Sequence, residues 1–350
     1  ISVYTKKINQ LPDKENLKKQ IHQMATMLNA LTKAPIMNEI YKGPVMFDSD
    51  AVGYIVSQSF FNNSAGLISK RKKIESVSSS FDIFALLGGE NPKENKYEMQ
   101  IGKQIIDKNI SLTAINNTKS FENQPLIGAY EIDAEGVMVA DRLPLIENGT
   151  LKTLLKDRIP TQKISHSNAH KRFSIQSSYL NPSLAPGVVE MTGKKTTDMK
   201  KMKKRLIATA KKKGFEYAYV VQKIGNITLM LDDLVSSMSR ITSSFNSVKP
   251  IYIYRISVKD GSETLMRMAT MSSVSLESFK EVVSIANQQQ VCNILSSSSG
   301  GFLGAMFSDN NGTPCSLILP KAIILNNIEI KKDQGTVFQK TPVSPNPLVK

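Results

Sequence analysis

An α+β fold, with antiparallel sheets and helices packed on them, is what this sequence predicts, on three observations. Residues 128–158 (GAYEIDAEGVMVADRLPLIENGTLKTLLKDR) hold strand-like runs around turns at Asp133-Ala134-Glu135-Gly136 and Glu147-Asn148-Gly149, where glycine permits the positive φ of a tight hairpin, and read as an antiparallel meander. Residues 250–267 (PIYIYRISVKDGSETLMR) read as a hairpin across Asp260-Gly261. Two other stretches carry helical apolar spacing between capping residues, well separated from those strands.

Composition sets the outer limits. At 350 residues the chain can bury a full core as one large domain or two. No run approaches 18 apolar residues, so nothing spans a membrane as a helix. The compartment stays open, since the first residue is Ile1 and a leader could precede it. Cys292 and Cys315 have no CxxC spacing and read as two small buried hydrophobes. The net charge of +15 can steer a protein towards polyanions, and much of it sits in residues 194–213.

Taken in order, Pro12 and Asp13 open a helix whose Leu17, Ile21, Met24, Leu28 and Leu31 form one stripe, closed by Pro35; the stripe predicts a docked helix. Pro44 to Phe47 form a short buried strand, and Asp48, Ser49 and Asp50 start a helix with Val52, Ile55, Val56 and Phe60 at helical spacing. The basic run 69–74 reads as a solvated helix end, 81–87 as a strand or short helix, and 88–96 as a loop. Asp133 and Glu135 beside Gly136 are turn formers rather than an acid and base pair. His166 and His170 would share a helix face at i and i+4, yet Ser165, Ser167 and Asn168 favour a loop.

Residues 193–214 form a capped helix: Thr197 and Asp198 start it, Met199, Met202, Leu206 and Ala210 make its stripe, and Gly214 stops it. Ten of these residues are Lys or Arg against one acid, which reads as a surface helix or, alternatively, as a polyanion or nucleic-acid binder. Strands follow at 215–222, 226–231 and 251–258. Residues 275–286 are expected as a helix with Leu276, Phe279, Val282 and Val283 inward, 293–313 as a loop, and 323–330 as a last strand.

The strand-to-helix stretch 43–63 (GPVMFDSDAVGYIVSQSFFNN) resembles the TldD/PmbA family, the "modulator of DNA gyrase" group related to metallopeptidases. There this helix carries HExxxH, whose histidines bind zinc and whose glutamate is the general base. Aligned on Gly53, this chain has Ser57, Gln58 and Asn62 in their place, and Phe61 where the family has a glycine before its second histidine. Neither Ser57 nor Gln58 offers a zinc ligand or a titratable base. Residues 128–158 are similar to the family's G.Y.iDdEGv…LIENG.L…L.DR over about thirty residues. Residues 101–117 resemble a segment ending in an Asp-Asp turn, here Asn116-Asn117. Ser167, Asn168, Ala169 and His170 match a Ser-Asn-Gly-His loop beside the substrate cleft, with Ala169 for glycine; Arg267 matches an arginine followed by glycine, here Met268. The family's zinc cysteine falls near Phe307 and Ser308, with Cys315 later, and 341–350 resembles its Pro-rich ending.

The resemblance implies partly barrel-like antiparallel sheets, with residues 1–42 as a linker helix from a missing N-terminal domain and 43–350 as the C-terminal domain. It implies a bacterial, metallopeptidase-related protein without its own catalytic zinc and with no other cofactor. Such a protein binds peptide or an unfolded segment, as a homodimer or with a TldD-like subunit, and not nucleic acid. Arg158, His166, Ser167, Asn168 and His170 are the candidate cleft; no catalytic or metal residue is assigned. Two alternatives stand beside this: a metallopeptidase with a non-standard site at His166 and His170, with Asp157 or Cys315 as further ligands, and a polyanion binder through 194–213.

Overall fold

A computed structural model describes residues 5–61, 66–69, 95–174, 182–225, 247–296 and 312–333. Asn62, Phe307 and Ser308, most of the runs 69–74 and 88–96, the segments expected at 81–87 and 226–231, and the ending 341–350 lie outside them.

The fold is α+β, built on a curled half-barrel sheet with few helices. The larger sheet contains β1 (Tyr41–Asp48), β10 (Tyr217–Ile224), β11 (Ser247–Val248), β12 (Pro250–Ser257), β13 (Glu263–Met266), β14 (Ala269–Ser272), β15 (Val282–Ile285) and β18 (Ala322–Lys332). Its order is β11-β14-β18-β1-β10-β12-β13, with β15 also on β18. The smaller sheet contains β2 (Ile110–Ala114), β5 (Leu143–Glu147), β6 (Thr150–Leu151), β9 (Val188–Gly193), β16 (Gln289–Ser296) and β17 (Thr313–Pro320), in the order β16-β17-β9-β2-β5-β6. Short hairpins β3 (Ser120–Phe121) with β4 (Gln124–Pro125), and β7 (Lys171–Phe173) with β8 (Pro182–Leu184), lie apart from both. Most pairs are antiparallel, but β1 with β10 and β17 with β9 run parallel.

From Gly43 to Phe47, strand β1 is apolar because it is buried on both faces. Val45 and Phe47 point into the main core with Tyr219, Val221, Ile323 and Leu325, whereas Met46 points the other way, with Val220 and Ile324, under helix α3 (Met199–Lys212). In α3, Met202, Leu206 and Ala210 are buried, Asp198 caps Lys200 N–H, and Gly214 follows at φ +77°, as its sequence pattern predicts. Helix α2 (Asp50–Phe61) is buried nearly all round, which suits its position between the sheets. Gly53 is its contact point with β16: a Cβ there would lie 2.9 Å from Cys292 Sγ.

Turn chemistry shaped the hairpins as expected. Asn148 and Gly149 both take positive φ between β5 and β6, and Gly261 does so between β12 and β13. The first turn of the expected meander is looser, with a lone bridge between Ile132 and Met138. Residues 275–286 are not a helix: a 3-10 turn, Leu276–Lys280, leads directly into β15, whose Val282, Val283 and Ile285 are β-branched.

Helix α1 (Lys14–Lys33) begins at Asp13, whose carboxylate accepts Asn16 N–H at 2.7 Å. The expected docking is not seen. Leu17, Ile21, Met24 and Leu28 are 38–55% exposed, and the helix is held at its far end, where Arg267 Nε donates to Ala34 O at 2.8 Å. The periodicity gave the apolar face correctly, but the sheet edge meets the helix beside that face, at Met27, which receives the Tyr254 hydroxyl at 4.0 Å.

Candidate functional site

The end of α2 leads by backbone hydrogen bonds to the loop that holds the candidate residues Ser167, Asn168 and His170. Leu67 N–H donates to Phe60 O, Leu155 N–H to Leu67 O and Ser69 N–H to Leu155 O. This lays residues 67–69 beside 154–156, whose other side is taken by Asn168. The Asn168 amide donates to Leu154 O at 2.7 Å and accepts Lys156 N–H at 2.8 Å, closing the loop as a strand partner would.

His170 follows, 1% exposed and fixed on both ring nitrogens. Nδ1 lies 2.7 Å from Asn168 O and 2.9 Å from its Oδ1, so it carries the proton. Nε2 faces the Asn116 side-chain nitrogen at 3.1 Å. The Asn116 amide is oriented by Val188, whose N–H donates to Oδ1 at 2.9 Å; its NH2 therefore donates to Nε2, and the ring is neutral. Gly187 makes room for this contact, since a Cβ there would fall 2.4 Å from Asn116 Oδ1.

Burial, reinforced by the nearby Arg172 charge and opposed by the Asn168 bond, lowers the His170 pKa to about 3. In the unfolded chain the ring titrates near 6.5. As pH falls below about 6, the unfolded chain takes up a proton that the folded one refuses, so stability should drop by about 1.4 kcal/mol per pH unit from this group. Urea unfolding from pH 6.5 to 4.5 checks this. His170→Gln should flatten the slope, and Asn116→Asp, which presents a charged acceptor to Nε2, should reduce it; parallel curves for all three proteins would refute the assignment.

Beneath the loop lies an ion pair sealed from solvent. Lys156 is 0% exposed and Asp157 1%; Lys156 Nζ donates to Asp157 Oδ1 at 2.9 Å and to Ile159 O, and Lys171 Nζ stands 3.5 Å from Asp157 Oδ2. Arg172 stacks on Tyr130 at 4.3 Å and donates to Pro186 O and Pro314 O. The Tyr130 hydroxyl donates to Ala169 O at 2.6 Å. Lys156, Arg172 and Tyr130 were missed at the sequence level. Their signal was faint: a lysine directly after the buried pair Leu154-Leu155.

The five candidate cleft residues therefore do not form one surface. Ser167, Asn168 and His170 belong to the packed loop, while Arg158 and His166 are exposed. The backbone N–H of Arg158 donates to Glu135 at 2.8 Å. His166 and His170 lie on a loop, not on a shared helix face. Asp133 is a turn former: Oδ1 accepts Glu135 and Val137 N–H, both at 2.9 Å. Ser57 and Gln58 are half-buried on α2, and Phe60 and Phe61 are buried after them. Cys292 and Cys315 are free thiols, and burial pushes Cys315 up to about 12, which keeps it neutral.

Comparison with known proteins follows the same lines. The family described as the PmbA/TldA metallopeptidase C-terminal domain matches residues 41–331. Among solved structures, TldE from Thermococcus kodakarensis is similar at a TM-score of 0.51 and 14% identity, over 90% of this chain and 56% of that one. A protein from Bacteroides thetaiotaomicron, named as a candidate modulator of DNA gyrase, is similar at 0.50 and 13%, over 93% and 54%. This chain thus spans little more than half the length of either. No curated protein matches it.

Proposed function

Because this chain belongs to the TldD/PmbA metallopeptidase family, we propose that it is a member without catalytic zinc, which binds peptide or an unfolded segment as a subunit in proteolysis. The observation that carries this is the residue set of α2: a hydroxyl at Ser57 and an amide at Gln58 take the positions of the resembled His-Glu pair. Neither holds Zn2+ in the manner of imidazole, thiolate or carboxylate, and neither accepts a proton near neutral pH. Among the described residues, the other candidate ligands do not compensate. His170 has both nitrogens engaged, and Cys315 is a buried neutral thiol. The donor set does not fit a catalytic zinc.

In this reading residues 43–350 form the binding domain and 1–42 a linker helix ahead of it. Of the candidate cleft residues, Arg158 and His166 are the exposed ones that would meet a peptide, while Ser167, Asn168 and His170 support them from the packed loop; Ser57, Gln58 and Asn62 are the degenerate positions of the sequence pattern. The partner is a second copy or a TldD-like subunit that supplies the metal.

The test uses protein purified without chelator. Zinc should be well below one equivalent, a fluorescently labelled unfolded casein should bind without being cut, and a family member with an intact HExxxH should form a complex with it. A full zinc equivalent lost in His166→Ala or His170→Gln, or cleavage abolished by a chelator, would overturn the reading. So would failure to bind both casein and the zinc-bearing relative.

A further inference from the structure

A recess of about 1040 Å³ lies on the far side of the larger sheet from α2, at the start of α3. Three pieces of chain wall it: the turn before β2 with Asp107, Lys108 and Asn109, the link with Lys194 to Thr197, and the first turns of α3 with Lys201, Lys204 and Arg205. Val283 and Ser284 of β15 contribute to its lining. Its volume is at the upper end of small-molecule sites, which run about 300–1,000 Å³.

Its charge is one-sided. Lys108, Lys194, Lys195, Lys201, Lys204 and Arg205 line it against the single carboxylate of Asp107, and that carboxylate already accepts Asn109 N–H at 2.7 Å. Among the described residues none of the six cations is in an ion pair, although Lys203, one position from Lys204, pairs with Glu263. The recess is also braced. Asn109 accepts Lys194 N–H at 2.9 Å on its backbone and Lys195 N–H at 2.5 Å on its side chain, and its amide donates to Lys195 O at 2.8 Å. Thr197 and Ser284 join hydroxyls at 2.7 Å across the floor.

This arrangement costs stability in the free protein. Beyond its capping Asp198, the first turn of α3 has no acidic residue and carries Lys200 and Lys201, although the amino end of a helix repels cations. Like charges converging on a braced recess add to that repulsion, and a local rule broken without a folding benefit marks a functional site. A bound anion relieves both terms at once.

We propose that this recess binds an oligophosphate chain, as inorganic polyphosphate of a few units or as the phosphate tail of a nucleotide. Phosphate oxygens are the acceptors that several lysines and one arginine converge to bind, and two or three linked phosphates are needed to engage cations placed on three walls. The concave shape favours a short chain over a duplex, which would lie across the rim.

The experiment is calorimetric titration of the whole chain with sodium tripolyphosphate, ATP, orthophosphate and a short DNA duplex, at low and at physiological salt. Tripolyphosphate should bind more tightly than orthophosphate and weaken with salt, and Lys204→Glu/Arg205→Glu should weaken it at least tenfold. Lys18→Glu/Lys19→Glu on α1 should leave it unchanged, and melting curves of both variants confirm that they fold. ATP binding as tightly as tripolyphosphate assigns recognition to the chain of phosphates; ATP binding more tightly adds the nucleoside. Absence of tripolyphosphate and ATP binding at low salt, indifference to the α3 substitutions, or retention of DNA but not tripolyphosphate each overturns the proposal. None of these outcomes depends on zinc or on peptide binding.

Discussion

Lys156→Ala should cost about 3–5 kcal/mol of stability, because removing one partner of a buried pair takes the closest cation from a carboxylate held in the interior. Lys156 and Asp157 are among the least exposed polar groups of the chain. The alanine removes the cation 2.9 Å from Asp157 Oδ1, the donor to Ile159 O, and the aliphatic stem of one of the largest fully buried side chains. Lys171 is 3.5 Å from the other oxygen and keeps contact with solvent, so it compensates only in part. The double variant Lys156→Met/Asp157→Leu separates charge from volume. It should be less destabilised than Lys156→Ala, since it removes the buried carboxylate together with its cation, at the smaller cost of the Asp157 contacts to Ile159 N–H and Lys171. Urea unfolding of the two variants decides. A loss below about 1 kcal/mol for Lys156→Ala, or a larger loss for the double variant, would show that the pair is not the keystone of the 154–170 region.

The parts of the fold that were legible in the sequence are those fixed by neighbours along the chain. Asp198 and Gly214 bound α3, Asn148-Gly149 sets a hairpin, and the spacing of Val52, Ile55, Val56 and Phe60 announces α2. What was not legible depends on partners distant in sequence. The apolar face of α1 is real, but only the structure shows that the sheet meets the helix beside it. The run after Phe279 is too short for periodicity to tell strand from helix, and its pairing with β18 settled it. The His170–Asn116 contact needs β2 and β9 side by side before Val188 can orient the amide. The recess was half visible: the basic helix stood out, whereas Lys108 and Asn109 join it only through the packing of a turn more than eighty residues earlier.

Two departures from the resembled family pattern are informative about backbone. Ala169 and Met268 stand where that pattern has glycine, yet both keep positive φ, +61° and +57°. The left-handed conformation costs an L-residue about 1–2 kcal/mol, so the surrounding bonds enforce it. For Ala169 these are the Tyr130 hydroxyl on its carbonyl and the Ser167 hydroxyl on its N–H. In α2 the change goes further, since side-chain bulk occupies the end of the helix.

That bulk is the subject of the second large effect: Phe60→Ala should lose about 3–5 kcal/mol, as aromatic truncations in close-packed cores do. Phe60 is fully buried, meets Phe279 edge-on at 4.8 Å and 72°, and has Phe61 6.5 Å away. Edge-to-face packing adds about 0.5–1.5 kcal/mol beyond the buried area, so Phe60→Ala and Phe279→Ala should be less than additive when combined. The neighbouring positions should behave differently. Ser57 and Gln58 are half-buried, and Ser57→His with Gln58→Glu should cost less than about 1 kcal/mol, because partly exposed positions outside the packed core tolerate change. Denaturant unfolding of these variants tests the contrast. A tolerant Phe60 together with a sensitive Ser57-Gln58 pair would place the structural weight of α2 on the face where the resembled family keeps its chemistry. The opposite result leaves that face free for function and assigns the stability of the helix to its aromatic end.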